Sequence, residues 1–338
     1  MVLREALQNW YKKHQRDLPW RHTKDPYTIW LSEIILQQTR VDQGLPYFQK
    51  FIDRYPKVSD LAAASQQEVL NLWQGLGYYS RGRNLHNTAQ VITQKYNAVF
   101  PKTYTELIGL KGVGGYTAAA IASFAYNLPH AVVDGNVFRV LARYYGVELP
   151  INTSKGATFF NELANELLDK NAPGLHNQAI MEFGALQCKP VSPNCFNCPV
   201  INTCVAFKEN KVAQLPVKIK KKKVSQRFFV YHLIKNKRQQ LAFYQRGPND
   251  IWEGLFEFPL KEFKSAEELA LYLSQKKLVG TKQKHLLTHQ KIEAYFIFDT
   301  PNHWNQHQFV YLSLADLSDH PIPRLIDKFL VINHSRII

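Results

Sequence analysis

The chain has 338 residues, 45% of them apolar and 13% aromatic, with 42 Lys and Arg against 27 Asp and Glu, a net charge of +15. That length and apolar content supply cores for two domains and exclude global disorder, and no apolar run reaches the ~18 residues of a membrane helix. The positive excess points to a polyanionic partner, nucleic acid above all. Met1 to Lys13 carries neither a secretory nor a transit pattern, which gives the expectation of a bacterial, cytoplasmic, nucleoid-associated protein.

From residue 1 to about 207 the pattern is helical. Leu3, Leu7, Trp10 and Tyr11 mark one apolar face. Asp25 followed by Pro26 is an N-cap with Pro at the first helical position, opening a helix predicted to run to about Thr39. Ser65 with Glu68 and Thr103 with Glu106 have capping-box spacing, and Gly75 reads as a C-cap. Small residues dominate Thr117 to Ala125, as in a helix packed closely on its neighbours. No strand alternation survives here, so residues 1–207 read as an all-α domain.

Between Asn210 and Asn249 there are eleven Lys or Arg and no Asp or Glu. The densest part, Lys218, Lys220, Lys221, Lys222, Lys223 and Arg227, predicts a basic solvated linker over 208–226, which can lie along phosphates. After Val224 the period changes. Phe228 to Ile234, Leu241 to Gln245, Ala294 to Phe298 and Phe309 to Leu314 read as strands. Ser265 with Glu268 caps a helix to about Leu278, and a last helix covers Arg324 to Leu330. Residues 227–338 therefore form a second, α+β domain.

The four cysteines bunch as Cys188, Cys195, Cys198 and Cys204, a C-x6-C-x2-C-x5-C spacing. Scattered core cysteines would not cluster in this way, and a disulfide framework is foreign to an intracellular chain of this length. Four thiolates gathered by a proline-rich loop make a metal site. Zinc sites usually present two close pairs, and here there is one, so the wider spacing favours a [4Fe–4S] cube of structural rather than redox role.

Leu110-Lys111-Gly112-Val113-Gly114-Gly115-Tyr116-Thr117 joins two helical patterns through a glycine-rich hairpin. Such a turn leaves backbone N–H groups free at the start of the second helix, a ready phosphate site, so Gly112 and Gly114 are read as DNA contacts. Downstream, Asp134 sits where an N-cap belongs, and the helix N-terminus is expected to hold its carboxylate ionised. Glu33 interrupts an otherwise apolar helix. Apolar surroundings would raise its pKa and keep it protonated near neutrality, although periodicity alone leaves open a Glu facing solvent beside the stripe. One neutral acid and one anion form the pair that glycosidic cleavage needs.

Taken in order, the glycine hairpin, the downstream Asp and the four-cysteine loop resemble the helix-hairpin-helix DNA glycosylases that carry an iron–sulfur cluster. Leu18-Pro19-Trp20-Arg21, Trp30-Leu31-Ser32-Glu33, Leu36-Gln37-Gln38-Thr39, Gly75-Leu76-Gly77-Tyr78-Tyr79 and Asp134-Gly135-Asn136-Val137 resemble, more narrowly, the adenine DNA glycosylases of the MutY type. The resemblance runs from about Leu3 to Phe207, and more loosely beyond, chiefly through Trp252 to Pro259. It implies removal of adenine mispaired with 8-oxoguanine or guanine in duplex DNA, the base being flipped out of the stack, by a monomeric enzyme. Glu33 would protonate adenine N7, and Asp134 would stabilise the C1′ cation, with Tyr116 and Asn136 supporting Asp134. Arg16, Leu18, Trp20, Arg21 and Gln178 would line the adenine pocket, while Gln38 and Tyr78 would wedge into the stack. For Leu18, Trp20 and Tyr78 plain core packing is the alternative.

Bifunctional glycosylase–lyases of the endonuclease III type carry a Lys just after the hairpin, where this chain has Tyr116. A phenol forms no imine, so the resemblance implies a monofunctional enzyme. The C-terminal half resembles a Nudix fold without the Glu-rich metal helix, since Ser265 to Leu273 lacks that set. The family's Phe-Ser-His turn for 8-oxoguanine is matched by Leu287-Thr288-His289, which keeps a hydroxyl and the imidazole but loses the aromatic ring. Two other readings remain: a bifunctional endonuclease III-type glycosylase–lyase, and a non-catalytic iron–sulfur DNA-binding protein.

Overall fold

A computed structural model describes residues 2–219, 224–274 and 276–337; Lys220 to Lys223, the centre of the basic run, lie outside them. The chain divides into two units, the first of Met1–Ala62 and Asn87–Lys220, the second of Ala63–His86 and Lys221–Ile338. This grouping differs from the division at 207 and 227 in two respects: the segment 63–86, helical and early in the chain, belongs with the C-terminal unit, and the first unit extends to Lys220 with no separate linker.

The helices up to residue 208 are α1 (Val2–His14), α2 (Pro26–Leu36), α3 (Val41–Arg54), α4 (Val58–Ala63), α5 (Gln66–Leu72), α6 (Ser80–Lys95), α7 (Tyr104–Ile108), α8 (Gly115–Tyr126), α9 (Gly135–Tyr145), α10 (Ser154–Leu167), α11 (Pro173–Leu186) and α12 (Val205–Lys208). No strand occurs among the described residues of this half. Asp25 caps α2 by accepting the N–H groups of Tyr27 and Thr28, and the Ser65–Glu68 capping box is complete. Helix α2 closes at Leu36 rather than Thr39 because Gln38 takes a left-handed conformation, φ +56°. Both α2 and α8 bury nearly every face, α8 through Thr117, Ala118, Ala119, Ala120, Ala122 and Ser123. They pack on each other, while α11 packs on α1, α8 and α9. Trp10 meets Phe183 edge-on at 5.1 Å in the core of that second group.

The described part of the 208–226 segment is not a solvated linker. Leu215 is buried, its carbonyl accepts Arg143 Nε at 3.0 Å, Val217 O accepts Ile151 N at 3.0 Å, and Asn152 bonds Ile219 in both directions. Arg227 is not free for phosphate either, since its guanidinium pairs with Asp250 at 2.6 Å and Glu262 at 2.7 Å.

The C-terminal chain folds into β1 (Ser225–Ile234), β2 (Leu241–Gln245), β3 (Phe256–Glu257), β4 (Leu260–Phe263), α13 (Ala266–Leu273), β5 (Gln283–Leu286), β6 (Gln290–Asp299), β7 (Val310–Leu312) and α14 (Arg324–Ile337). One sheet has the order β4-β1-β6-β5, with β1 and β6 parallel, and the other the order β3-β2-β7. Alternation along β1 covers both faces of the first sheet. Phe228 and Val230 pack with Leu269 of α13, whereas Tyr231 stacks on Phe296, which stacks at 3.5 Å on Phe329 of α14. Helix α13 stops at Leu273, short of Leu278, because Leu278 and Val279 bridge to β6. Strand β7 ends at Leu312, where Ser313 and Asp316 close a hydrogen-bonded turn, and α14 runs seven residues past Leu330.

Candidate active site

In the first unit a cleft of about 740 Å³ opens between the helices, a volume typical of small-molecule sites (~300–1,000 Å³). It is lined by Glu33, Tyr116, Asp134 and Asn136 together with Arg16, Leu18, Trp20, Arg21 and Gln178. Every residue predicted for catalysis or the adenine pocket thus faces one space, although the sequence spreads them from 16 to 178.

Glu33 points inward from α2 and is 7% exposed, which removes the solvent-facing alternative. Burial pushes its pKa up to about 7, against the hydrogen bond from Tyr116 and with the help of the Asp134 charge. Tyr116 donates to Glu33 Oε2 at 2.6 Å. The resemblance had implied support of Asp134 by Tyr116; the bond goes instead to Glu33. With Oε2 acting as acceptor, the proton of the neutral acid belongs on Oε1.

Asp134 caps α9. Its Oδ1 accepts the N–H groups of Asn136 at 2.9 Å and Val137 at 2.8 Å, and its Oδ2 accepts Asn136 Nδ2 at 2.7 Å. Burial nevertheless raises its pKa above the ordinary value, outweighing these bonds and Arg139, so the expectation of a carboxylate held low by its helix terminus is corrected. What the cap does fix is direction. Both oxygens accept, the bonding pattern of an ionised carboxylate. Arg139 donates to Asn136 Oδ1 at 2.8 Å, to Gly184 O at 2.6 Å and to Cys188 O at 2.7 Å, tying the cap to the cysteine loop. Gly184 permits this approach, because a Cβ there would lie 2.6 Å from Asn136 Cβ.

One residue of the cleft escaped the sequence. Glu182 of α11, with a side chain 1% exposed, accepts Arg16 at 2.6 Å and Arg21 at 2.7 Å. Those guanidinium groups outweigh burial and hold its pKa down at about 2, so a fixed anion clamps the two arginines. Its partners lie 161 and 166 positions away, and nothing local marks it as more than a helix-surface Glu.

The remaining predicted residues lie elsewhere. Gly112, at φ +79°, and Gly114 form the exposed α7–α8 hairpin, braced by Thr88 donating to Lys111 O at 2.6 Å. Gln38 is on the turn after α2. None of the three lines the cleft. Tyr78, at φ +48° and 51% exposed, belongs to the second unit, where its hydroxyl lies 2.8 Å from Thr288 Oγ1. There Tyr78, Thr288 and His289 line a cavity of about 620 Å³ with Trp252 and His285. Thr288 and His289 are at the tip of the β5–β6 turn, closed by Leu287 N to Gln290 O at 2.8 Å.

Cys188, Cys195, Cys198 and Cys204 are all free thiols and line one cavity. Among the described residues no three His, Cys, Asp or Glu converge closely enough for a single metal ion; the four thiols around one cavity are the donor type that an iron–sulfur cluster takes. Arg143, 3% exposed, braces the loop through Lys189 O at 2.7 Å and Pro190 O at 3.1 Å, with Nη1 3.5 Å from Cys188 Sγ. Among the described residues no helix is long and apolar enough to cross a membrane.

Residues 31–165 match the HhH-GPD superfamily base excision DNA repair proteins, and residues 230–331 match the NUDIX domain. The adenine DNA glycosylase of Buchnera aphidicola subsp. Acyrthosiphon pisum is 35% identical over 302 residues, covering 89% of this chain and 85% of the relative. The Mus musculus adenine DNA glycosylase is 39% identical over 271 residues, covering 77% of this chain and 51% of the relative. The chain belongs to the adenine DNA glycosylase family. In structure it is similar to a thermostable thymine-DNA glycosylase, with a TM-score of 0.58 at 29% identity over 62% of this chain and 96% of that one.

Proposed function

We propose that this adenine-specific DNA repair glycosylase hydrolyses the N-glycosidic bond of adenine mispaired with 8-oxoguanine or guanine in duplex DNA, and that it does not cleave the strand. The carrying observation is the carboxylate pair: Glu33, titrating near pH 7, shares a cleft with the hydrogen-bonded cap Asp134. The extruded adenine enters the cleft between Leu18, Trp20, Arg21 and Gln178, with Arg16 at its wall. Glu33 Oε1 gives its proton to N7, and the electron pair of the C1′–N9 bond leaves with the now neutral purine. Asp134 stabilises the oxocarbenium ion at C1′ through a transient covalent adduct. Water then attacks C1′, the bond from C1′ to the Asp134 oxygen breaks and returns the carboxylate, and the proton of the water passes to Glu33. No lysine lines the cleft among the described residues, and Tyr116 cannot form an imine, so no amine is at hand for lyase chemistry.

The cavity of the second unit takes the 8-oxoguanine, with Thr288 and His289 offering a hydroxyl and an imidazole and Tyr78 a stacking face. Gln38 replaces stacking at the site of extrusion, and the N–H groups around Gly112 and Gly114 hold a phosphate. Cys188, Cys195, Cys198 and Cys204 would hold a [4Fe–4S] cluster, which would cross-link the loop.

Single-turnover incubation with duplexes carrying A opposite 8-oxoguanine, A opposite G, or thymine glycol tests the proposal. Adenine release, fastest opposite 8-oxoguanine and without borohydride-trapped adduct, is the expected result. Cleavage at thymine glycol with no adenine release overturns it.

A further inference from the structure

Gln178 is the one residue of the adenine pocket whose polar end can face the base in two senses, oxygen first or nitrogen first. Its neighbour decides which. Tyr11 of α1 is 2% exposed, and its hydroxyl lies 2.9 Å from Gln178 Oε1. Among the described residues that oxygen is the only acceptor the phenol has. Buried hydroxyl protons find acceptors, and this one has nowhere else to go, so the amide oxygen must turn toward Tyr11. Burial raises the Tyr11 pKa, keeping the phenol a donor, and the Arg21 guanidinium sits 5.6 Å from its ring centroid, fixing the ring from the other side. The amide nitrogen of Gln178, with no protein partner among the described residues, is left for the cleft.

We propose that Tyr11 is a positioning residue for base selection: it holds the Gln178 oxygen and thereby presents the amide N–H2 as a donor to N1 of the extruded purine. The inference rests on the adenine reading above. Adenine offers bare acceptors at N1 and N3, whereas guanine and hypoxanthine carry a proton on N1, so a fixed donor facing N1 accepts the first and rejects the others. An amide free to turn over would lose that distinction.

The test compares wild type with Tyr11→Phe in single turnover at saturating enzyme, on duplexes carrying adenine, 1-deazaadenine or 3-deazaadenine opposite 8-oxoguanine. On adenine the variant is expected to run about tenfold slower, the worth of one hydrogen bond, with duplex affinity unchanged. On 1-deazaadenine, which lacks that nitrogen, wild type and variant are expected to run at the same rate, whereas 3-deazaadenine is expected to behave like adenine. Equal slowing on all three substrates, or slowing on none, overturns the role of Tyr11. A wild-type enzyme that releases no adenine at all overturns the adenine reading itself. Gln178→Glu covers the case of a misfolded Tyr11→Phe protein: it keeps an acceptor for Tyr11 but removes the N–H2. It is expected to lose about tenfold on adenine and nothing on 1-deazaadenine; equal rates on adenine overturn the proposal.

Discussion

Replacing Glu33 with Gln isolates the cost of the proton that the cleft asks this side chain to keep. Gln has the size of the neutral acid and cannot ionise. In the folded protein Glu33 titrates near 7 instead of 4.5, so between those values folding takes up a proton. Stability from this group is therefore complete below pH 4.5 and is lost as pH rises through 7. At 1.36 kcal/mol per pH unit, the two values give a loss of roughly 2–3 kcal/mol between pH 5 and pH 8. Glu33→Gln carries no such loss. The difference in unfolding free energy, variant minus wild type, should rise by about that amount from pH 5 to pH 8. Urea titrations of both proteins at the two pH values, with equal m-values, measure it. The same proton is spent in catalysis, so wild-type single-turnover rate should fall about tenfold per pH unit above 7, while the variant releases almost no adenine. Parallel stability curves, or a wild type that gains on the variant as pH rises, would refute the neutral-acid argument.

Asp134→Asn should keep the N-cap, since an amide oxygen still accepts the Asn136 and Val137 N–H groups, and cost under about 1 kcal/mol of stability; adenine release should nevertheless fall by more than about a hundredfold, and near wild-type rates would show that the charge is idle. Gly184→Ala forces a Cβ to within 2.6 Å of Asn136 and should cost about 1–3 kcal/mol in denaturant unfolding together with a slower chemical step. Tyr78→Phe removes the contact to Thr288 and should shrink the rate preference for A opposite 8-oxoguanine over A opposite G, while leaving release from the G pair unchanged. Wild type is expected to show the broad visible absorbance of the proposed cluster and Cys198→Ser to lose it; stoichiometric zinc and no such absorbance in wild type would contradict the cluster assignment.

Local chemistry was readable from the sequence wherever a residue acts on its near neighbours. Asp25, Ser65, Thr103 and Asp134 cap the helices predicted for them because a cap needs only the next two or three N–H groups. Motif resemblance brought nine residues to one cleft. What stayed hidden depends on partners far along the chain. Glu182 matters through Arg16 and Arg21, Tyr116 through Glu33, and Arg227 through Asp250 and Glu262. Strand β5, Gln-Lys-His-Leu, has no apolar alternation and exists because β6 offers it a ladder. The Asp134 pKa ran opposite to the helix-terminus argument because desolvation is set by what packs over the carboxylate, which no local pattern records.

The segment 63–86 carries a consequence for how the gene can be cut. Asn71 and Gln67 donate to the carbonyls of Ser318 and Asp319, Arg83 to that of Glu253, and Leu70 lies under Gly254. A truncation after residue 207 therefore removes no self-sufficient module. It orphans α5 and the turn bearing Tyr78, strips them of their hydrogen-bond acceptors, and exposes Leu70 to water. A shortened enzyme of this kind would inherit a weakness in its own glycosylase half, and a loss of activity in it would report that wound as much as the missing C-terminal unit.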